Sequence, residues 1–527
     1  MLDVISLSMN SHQSKYKFVN SDSALILVFV LIKILIHLYT NAFVSYGIFR
    51  DELYYLACAN RPDIGYVDQP PLSIYILGIS RLLFRDSLFA IRLLPAIAGA
   101  VTIFITGLIV KKMDGGKQAL TIASLAVIFA PIYLGMNTIY SMNSFDILLW
   151  AIAFYLIILI NKEDHTKLWI LLGIVLGLGL MNKISFLWLC SGFFAGLLLT
   201  DKRKLLLTKQ PWITAGIAFI IFLPYLIWNA THNWAHIEFI RNAQMYKYSG
   251  ITRADFVKWL FILMNPASTI IWLFGLYYLL YHKDGKQFRI LGIIFVLTFL
   301  ILFISGKSKS EYLAPAFTAL FAGGGVILEK MDLKKNLKWL KYAVIIPLAV
   351  TGIITAPLAL PILPVEAYIN YAAAIGFGPT TSEHKELAEL PQFYADMFGW
   401  EDMAKNVSVV YEQIPEDDKS KTLVYANNYG DAGAIEYYNK KYALPEVIST
   451  HNNFWIWGWD YLNEDIKNVI IIGGNREDHL SSFEEVDQVL IHKVKYAMPY
   501  ENNLPIFLCR NLKRDVRQIW ENNKHFE

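Results

Sequence analysis

The sequence predicts a polytopic α-helical membrane protein, of about eleven spans, with a small α/β soluble domain at its C-terminal end. Three observations predict it. Hydrophobic residues make up 55% of the 527-residue chain, charged residues only 17%, and mean hydropathy is +0.39, whereas an ordinary soluble domain carries about 25% charged residues. The depletion is uneven. From about Ser23 to Leu360 apolar blocks alternate with short charged clusters, and from about Thr380 to Glu527 the composition is that of a globular domain. The basic clusters also recur at every second gap between blocks, as a membrane topology requires.

A bilayer core about 30 Å thick takes roughly 20 apolar residues per helix. The apolar blocks place spans at 23–45, 88–110, 119–136, 143–160, 168–182, 184–200, 212–229, 259–281, 289–305, 311–328 and 341–360. The pair 168–182 and 184–200 is too long for one straight span and short for two, so charge decides. With Lys15 and Lys17 inside, eleven spans put Lys111, Lys112, Lys117, Lys162, Lys167, Lys202, Arg203, Lys204, Lys283, Lys286, Arg289, Lys330, Lys334, Lys335 and Lys338 on one side. Merging the pair would reverse everything after Lys204, so the hairpin is kept. The segments expected are a cytoplasmic tail over 1–22, a membrane module over 23–360 with its first outer loop at 46–87, a linker over 361–379 and an extracytoplasmic domain over 380–527.

A net charge of +3 with its basic residues at span ends gives no nucleic-acid surface. Cys58, Cys190 and Cys509 lie far apart, with neither metal spacing nor a disulfide framework. The first twenty residues lack a signal peptide with a small-residue cleavage site, so the first span is expected to direct insertion.

On this topology every group suited to chemistry lies on the outer face. The first outer loop opens with Arg50, Asp51 and Glu52; ionisable groups at a membrane boundary are costly unless solvated, paired or used. Adjacent residues do not share a helix face, so at most one of the two acids points into a given site. The plain alternative is a charge cluster that Arg50 neutralises. Asp68 and Gln69 precede Pro70-Pro71, which end any helix before them. The following stretch, Leu72 to Phe84, is an amphipathic helix suited to the interface, with Arg81 and Arg85 against its apolar face. Asp146 opens the fourth span, where it complements a helix N-terminus that Asn143 or Ser144 would cap. Lys307 and Lys309 sit in an outer loop, against the positive-inside trend, and two such cations suit a lipid phosphate; pairing with Glu311 is the plain alternative. His232 and His236 are four apart, as metal ligands on one helix face can be, but a third ligand is lacking.

In the tail, Thr422–Asn427, Asn468–Ile472 and Pro505–Cys509 read as strands and Asp431–Lys440 as a helix. Gly473-Gly474 lacks the spacing of a dinucleotide fingerprint. The run His451–Asp460 is rich in aromatics and amides; it suits a sugar, a membrane interface or a buried aromatic core.

In order, the first span ending in Asp-Glu, YVDQPPL, RLLPAIAG, the acid at the start of the fourth span, GLGLMNK and GKSKSEYLAPAF resemble glycosyltransferase family 39. This is the GT-C-fold group related to protein O-mannosyltransferases and the lipid A aminoarabinose transferase. NNYGDAGAIEYYN and ISTHNNFWIWGWD resemble bacterial members with an extracytoplasmic C-terminal domain. The resemblance implies transfer of a sugar from a polyprenyl-phosphate carrier to a lipid, glycan or protein acceptor, in a bacterial inner membrane. It implies Asp51 as general base, Glu52 as supporting acid and Asp146 as a second acidic position. Lys307, Lys309 and Tyr312 match the region at the carrier phosphate, and Arg50, Tyr54, Tyr66, Asp68 and Gln69 would bind substrate. Gln69 stands where the aminoarabinose transferase pattern has a lysine, which argues against carrying over its lipid A acceptor. No cofactor is expected, with a divalent metal left open. A flippase for lipid-linked sugars is the alternative; it explains less well why acids gather on one face, since transporters place ionisable groups near the midplane. A membrane-anchored carbohydrate-binding tail is a third reading, for which eleven spans are excessive.

Overall fold

The computed structural model describes residues 21–43, 46–335, 337, 339–381, 386–462, 465–513 and 515–527. Residues 1–20 of the predicted tail, with Lys15 and Lys17, the side chains of Lys334 and Lys335, and Lys338 lie outside what is described.

The membrane module is a helical bundle. Its helices are α1 (Ser21–Phe43), α2 (Arg50–Asn60), α3 (Leu72–Phe84), α4 (Leu88–Lys112), α5 (Lys117–Phe129), α6 (Pro131–Met136), α7 (Met142–Lys162), α8 (Thr166–Asn182) and α9 (Phe186–Leu198). They continue as α10 (Gln210–Thr231), α11 (Ala235–Asn242), α12 (Arg253–Leu263), α13 (Thr269–Leu280), α14 (Arg289–Ser305), α15 (Phe317–Lys335), α16 (Leu340–Ala359) and α17 (Val365–Ala374). Among the described residues seven helical stretches are long and apolar enough to cross a bilayer, or eight with one bent pair, and α3, α5, α8 and α9 are shorter apolar helices. Each of the eleven predicted segments falls on helix; α17 lies within the predicted linker.

Side-chain contacts give the direction of each helix. The Trp169 carbonyl accepts from the Thr214 hydroxyl at 2.7 Å, and further along both helices Gly177 lies against Ile221, so α8 and α10 run parallel. Gly192 lies against Ile294 and Gly196 against Ile290, so α9 and α14 run antiparallel. A chain that leaves α8 and re-enters α10 in the same direction must return between them, and α9 is that return.

The predicted span 259–281 is not one helix. Two helices meet there at 91°. Pro266 has no N–H to continue a helix and excludes helical backbone before it. Asn265 takes a left-handed φ of 68°. Its buried amide donates to the Phe129 and Leu348 carbonyls, both at 3.2 Å, and accepts from the Thr351 hydroxyl at 2.7 Å, so the corner is fully hydrogen-bonded. Beyond the corner α13 packs on α15 backbone to backbone. A Cβ on Gly275 would sit 1.9 Å from the Leu320 carbonyl oxygen, and one on Gly324 2.0 Å from that of Ile271.

Lys33 and His37 lie one turn apart on α1 and are fully buried. Lys33 Nζ donates to the Tyr133 carbonyl at 3.1 Å, beside the break between α5 and α6. It occupies an interhelical seam rather than a lipid-facing position.

The C-terminal part is a five-stranded mixed sheet of order β2-β1-β3-β5-β4. Its strands are β1 (Thr422–Ala426), β2 (Val447–Ile448), β3 (Asn468–Ile472), β4 (Phe483–His492) and β5 (Leu504–Leu512). β1 pairs parallel with β2 and β3, and β5 pairs antiparallel with β3 and β4. β3 is buried at every position because both faces are covered. Val469 and Ile471 pack with Phe483, Phe507 and Cys509 on one side. On the other, Val424, Ala426, Ile470, Ile472, Ile506 and Leu508 pack under α18 (Trp400–Tyr411) and α19 (Tyr429–Tyr442). This second core extends into the membrane module: Leu53, Tyr54, Tyr55, Leu56, Ala57 and Cys58 of α2 and Ile74 and Leu77 of α3 belong to the same cluster. The sheet domain and the first loop are therefore packed as one body.

Candidate active site

The first loop is built around Glu52. Its carboxylate is fully buried and accepts from Arg92 at 2.8 and 2.9 Å, from the Phe49 amide at 2.8 Å and from the Tyr140 amide at 2.8 Å. A buried carboxylate is tolerated when it is paired and its lone pairs are filled. This one ties the starts of α2 and α4 and the turn before α7 into a single node. Nothing of Glu52 is left to meet a substrate.

Asp51, its neighbour, points elsewhere, as adjacent helical residues must. Its side chain is 40% exposed. Oδ1 accepts from the Tyr429 hydroxyl at 2.8 Å and lies 3.7 Å from Arg50 Nε, and Oδ2 makes no hydrogen bond among the described residues. Arg50 joins the two parts of the chain: it donates to Tyr500 at 3.1 Å, lies 3.7 Å from Asp396, and its amide donates to the Asp396 carbonyl at 3.0 Å.

Asp68 lies further along the same loop, after α2. Its carboxylate accepts from the Tyr54 hydroxyl at 2.9 Å. Burial pushes it up to about 6, with the Tyr54 hydrogen bond opposing and the charges of Asp51 and Lys247 acting in opposite senses. Asn453 of the sheet domain lies 3.2 Å from the Tyr54 hydroxyl and accepts from the Val67 amide at 2.7 Å, which joins the sheet domain to the loop. Tyr66 bonds within its own loop. Its buried hydroxyl donates toward the Cys58 and Arg61 carbonyls and accepts from the Asp63 amide, which staples the turn before Pro70. Gln69 is fully buried, and neither of its side-chain amide atoms is hydrogen-bonded among the described residues.

A second cluster gathers cations. Lys183 Nζ donates to Asn143 at 2.6 Å, lies 4.0 Å from Asp146 Oδ2 and sits 4.9 Å over the Tyr312 ring. The Tyr312 and Tyr248 hydroxyls are 3.0 Å apart, and Lys309 Nζ lies 5.1 Å over the Tyr248 ring. Lys307 is exposed and donates to the Gln244 carbonyl at 3.3 Å. Asp146 is thus brought to Lys183, and Lys309 to Tyr312, whereas Lys307 stands at the rim. The cap expected of Asn143 or Ser144 is made by Ser141, which accepts from the Asn143 amide at 3.3 Å. The two clusters adjoin where the Met142 amide donates to Tyr55 at 3.1 Å, on the helix that carries Asp51.

His232 and His236 do not converge. His232 bonds the Trp228 carbonyl and stacks on that indole, and His236 bonds the Val67 carbonyl at 3.0 Å. Burial lowers His236 to about 4, so it is neutral. No three His, Cys, Asp or Glu side chains among the described residues are grouped to hold a metal. The aromatic run 451–460 packs inward: Phe454 is buried and Trp455 bonds Trp520 at 3.1 Å.

Sequence reasoning missed Lys183, Tyr248, Lys247, Tyr429 and Asn453. Lys183 carried a signal, a lone cation between two apolar blocks. The tyrosines and Asn453 are brought in by tertiary contacts that leave no trace in spacing.

Residues 68–228 match the family described as dolichyl-phosphate-mannose-protein mannosyltransferase. The chain is 22% identical over 286 residues to the lipid A galacturonosyltransferase RgtD of Rhizobium johnstonii, covering 52% of this chain and 59% of the relative. It is 28% identical over 131 residues to an undecaprenyl phosphate-α-4-amino-4-deoxy-L-arabinose arabinosyl transferase of Proteus mirabilis, covering 23% of each. The match thus spans less than two thirds of either relative. The fold matches that of ArnT from Cupriavidus metallidurans, crystallised with undecaprenyl phosphate, at a TM-score of 0.60 over 92% of this chain and 98% of that one, with 10% identity. Residues 68–228 are thus similar to that mannosyltransferase family, and the chain as a whole shares the fold of the ArnT structure.

Proposed function

We propose that this chain is a membrane glycosyltransferase that moves a sugar from a polyprenyl-phosphate carrier to an acceptor at the end of the bundle bearing the sheet domain. The observation that carries this reading is the contrast inside the Asp-Glu pair. Glu52 is saturated and sealed, while Asp51 is held by one oxygen and open at the other. A carboxylate so placed suits a general base, which must be fixed in position yet free to take a proton.

In this reading Asp51 Oδ2 takes the proton of the acceptor hydroxyl or amine. The acceptor lone pair attacks the anomeric carbon on the face opposite the carrier. The bond from that carbon to the phosphate oxygen breaks, its electron pair leaves with the carrier phosphate, and the configuration inverts. A phosphate anion needs no acid to leave; cations at the developing charge suffice. Lys309 and Lys183, each set over a tyrosine ring of the linked Tyr248–Tyr312 pair, are placed for that task, with Asp146 and Asn143 orienting Lys183. Glu52 serves by fixing the pitch of α2. The acceptor is a lipid, glycan or protein; the relative named as a lipid A galacturonosyltransferase favours a lipid, and Gln69 stands where the aminoarabinose transferase pattern has a lysine. The charge pattern of the loops favours an extracytoplasmic site in a bacterial inner membrane.

The test is cleavage. Purified protein is given undecaprenyl-phosphate-linked aminoarabinose, galacturonic acid and mannose in turn, with lipopolysaccharide and membrane protein as acceptors, and carrier-phosphate release is measured. A transferase releases the carrier phosphate from at least one donor. A flippase leaves the glycosyl bond of all three intact, and that result would replace this reading.

A further inference from the structure

We propose that Tyr429 is a positioning residue for Asp51: a hydroxyl supplied by the sheet domain fixes the carboxylate so that one oxygen alone faces the acceptor. The inference rests on the reading of Asp51 as the base and assigns a part of the site to a domain some 380 residues further along the chain.

The geometry is specific. Tyr429 is the first residue of α19, and the Asn428 side chain caps that helix by accepting from the Gly430 amide at 2.7 Å and the Asp431 amide at 3.1 Å. A capped first turn gives Tyr429 a fixed backbone. Its ring is 8% exposed and lies 5.0 Å from Tyr54, 4.9 Å from His451 and 5.4 Å from the Arg50 guanidinium. With the ring walled on three sides, the hydroxyl meets Asp51 Oδ1 at 2.8 Å. That bond, with Arg50 Nε at 3.7 Å from the same oxygen, removes the rotation that would exchange Oδ1 and Oδ2.

The approach of α19 to α2 is built for this contact. A Cβ on Gly430 would lie 2.6 Å from Arg50 Cγ, and one on Gly433 3.0 Å from the backbone carbon of Leu53. Two glycines three apart on α19 thus bring its first turn within hydrogen-bond reach of the loop acid. Around them, Leu53 to Cys58 share a hydrophobic core with Ala432, Ala434 and Ile435, so the alignment is held by burial as well as by the single hydrogen bond. The Arg61–Glu436 ion pair at 2.8 Å closes the far end of the same helix contact.

Positioning differs from general support in what it does to rate. A hydrogen bond to a charged group contributes about 1.5–3 kcal/mol, equivalent to about 10- to 100-fold. If that contribution acts through Asp51, it vanishes once Asp51 can no longer take a proton.

The experiment measures kcat and carrier KM in the full-length protein for wild type, Tyr429→Phe, Asp51→Asn and the double variant, with the donor that supports release. The expected result is a drop in kcat of about 10- to 100-fold for Tyr429→Phe, a KM for the carrier unchanged, and a double variant no slower than Asp51→Asn. Gly433→Ala, which separates the helices without touching the acid, is expected to lower kcat in the same sense. Wild-type kcat in Tyr429→Phe alongside an impaired Asp51→Asn would overturn this inference and leave the base intact. Equal fractional losses from Tyr429→Phe with and without Asp51 would overturn it as a merely structural effect. Normal turnover in Asp51→Asn would remove the base assignment, and the inference with it.

Discussion

Glu52 and Arg92 form a buried ion pair at 2.8 Å that joins the start of α2 to the start of α4. The Glu52 side chain is wholly buried and that of Arg92 nearly so, and the same carboxylate holds two backbone amides. Removing one partner of such a pair leaves an uncompensated buried charge, at a cost of about 3–5 kcal/mol. Glu52→Ala and Arg92→Leu are therefore expected to lower the thermal midpoint and the yield of folded protein. Wild-type stability in both, measured by thermal unfolding in detergent, would show that the node is dispensable.

The joint between sheet domain and loop contains a buried acid pair. Asn428 bonds both Asp431 and Glu501 at 3.0 Å, beside Arg50, which is itself engaged with Asp396 and Tyr500. Burial pushes Asp431 up to about 6, and burial with the Asp431 charge beside it raises Glu501 well above the usual carboxylate range. Unfolded carboxyls titrate near 4, so between about pH 4 and these raised values the folded state binds more protons than the unfolded one. Stability then falls as pH rises through that window. The joint is expected to be more resistant to heat and protease at pH 5 than at pH 8. Glu501→Gln is expected to flatten the trend, which a pH series of melting curves reads directly.

Carrier affinity is expected to depend on Lys183 and Lys309 more than on Lys307. The first two lie over the rings of the linked tyrosines, and the third is exposed at the rim. Loss of one charged contact to phosphate corresponds to about 10- to 100-fold in apparent affinity. Titration of undecaprenyl phosphate into Lys183→Ala, Lys309→Ala and Lys307→Ala gives the order. Equal affinity in all three and in wild type would remove the cationic cluster from the carrier site.

The α13–α15 seam admits no side chain at two points. Small residues let membrane helices approach closely, and here a Cβ at Gly275 or Gly324 would overlap carbonyl oxygens of the facing helix. Gly275→Ala and Gly324→Ala are each expected to force the helices apart and to lower stability by an amount typical of overpacking, about 1–3 kcal/mol. Thermal unfolding of both variants checks this, and an unchanged midpoint in either would argue against a rigid seam.

The bundle was legible because apolar length and basic loops are properties of sequence alone. The charges around Lys202 were enough to keep α8 and α9 as two helices, and the parallel run of α8 and α10 agrees. The corner at Asn265 was not legible, because an Asn-Pro step inside an apolar block bends by 91° only when Phe129, Leu348 and Thr351 complete its hydrogen bonds. β4 also escaped notice, since its exposed acidic and polar positions hide the alternation. In the site, Asp51 and Glu52 were visible as a pair, but only packing tells which is sealed by Arg92 and which is open. Lys183 was visible as a lone cation, and its partners Asn143 and Tyr312 come from other helices.

The most direct test of the assignment is the turnover of Asp51→Asn in full-length protein, measured as carrier-phosphate release with carrier binding followed in parallel. If Asp51 is the general base, the amide keeps the fold and the carrier affinity and lowers turnover by about 10²- to 10⁴-fold. Turnover close to wild type in a folded Asp51→Asn protein would contradict the assignment and shift the search for the base to Asp68.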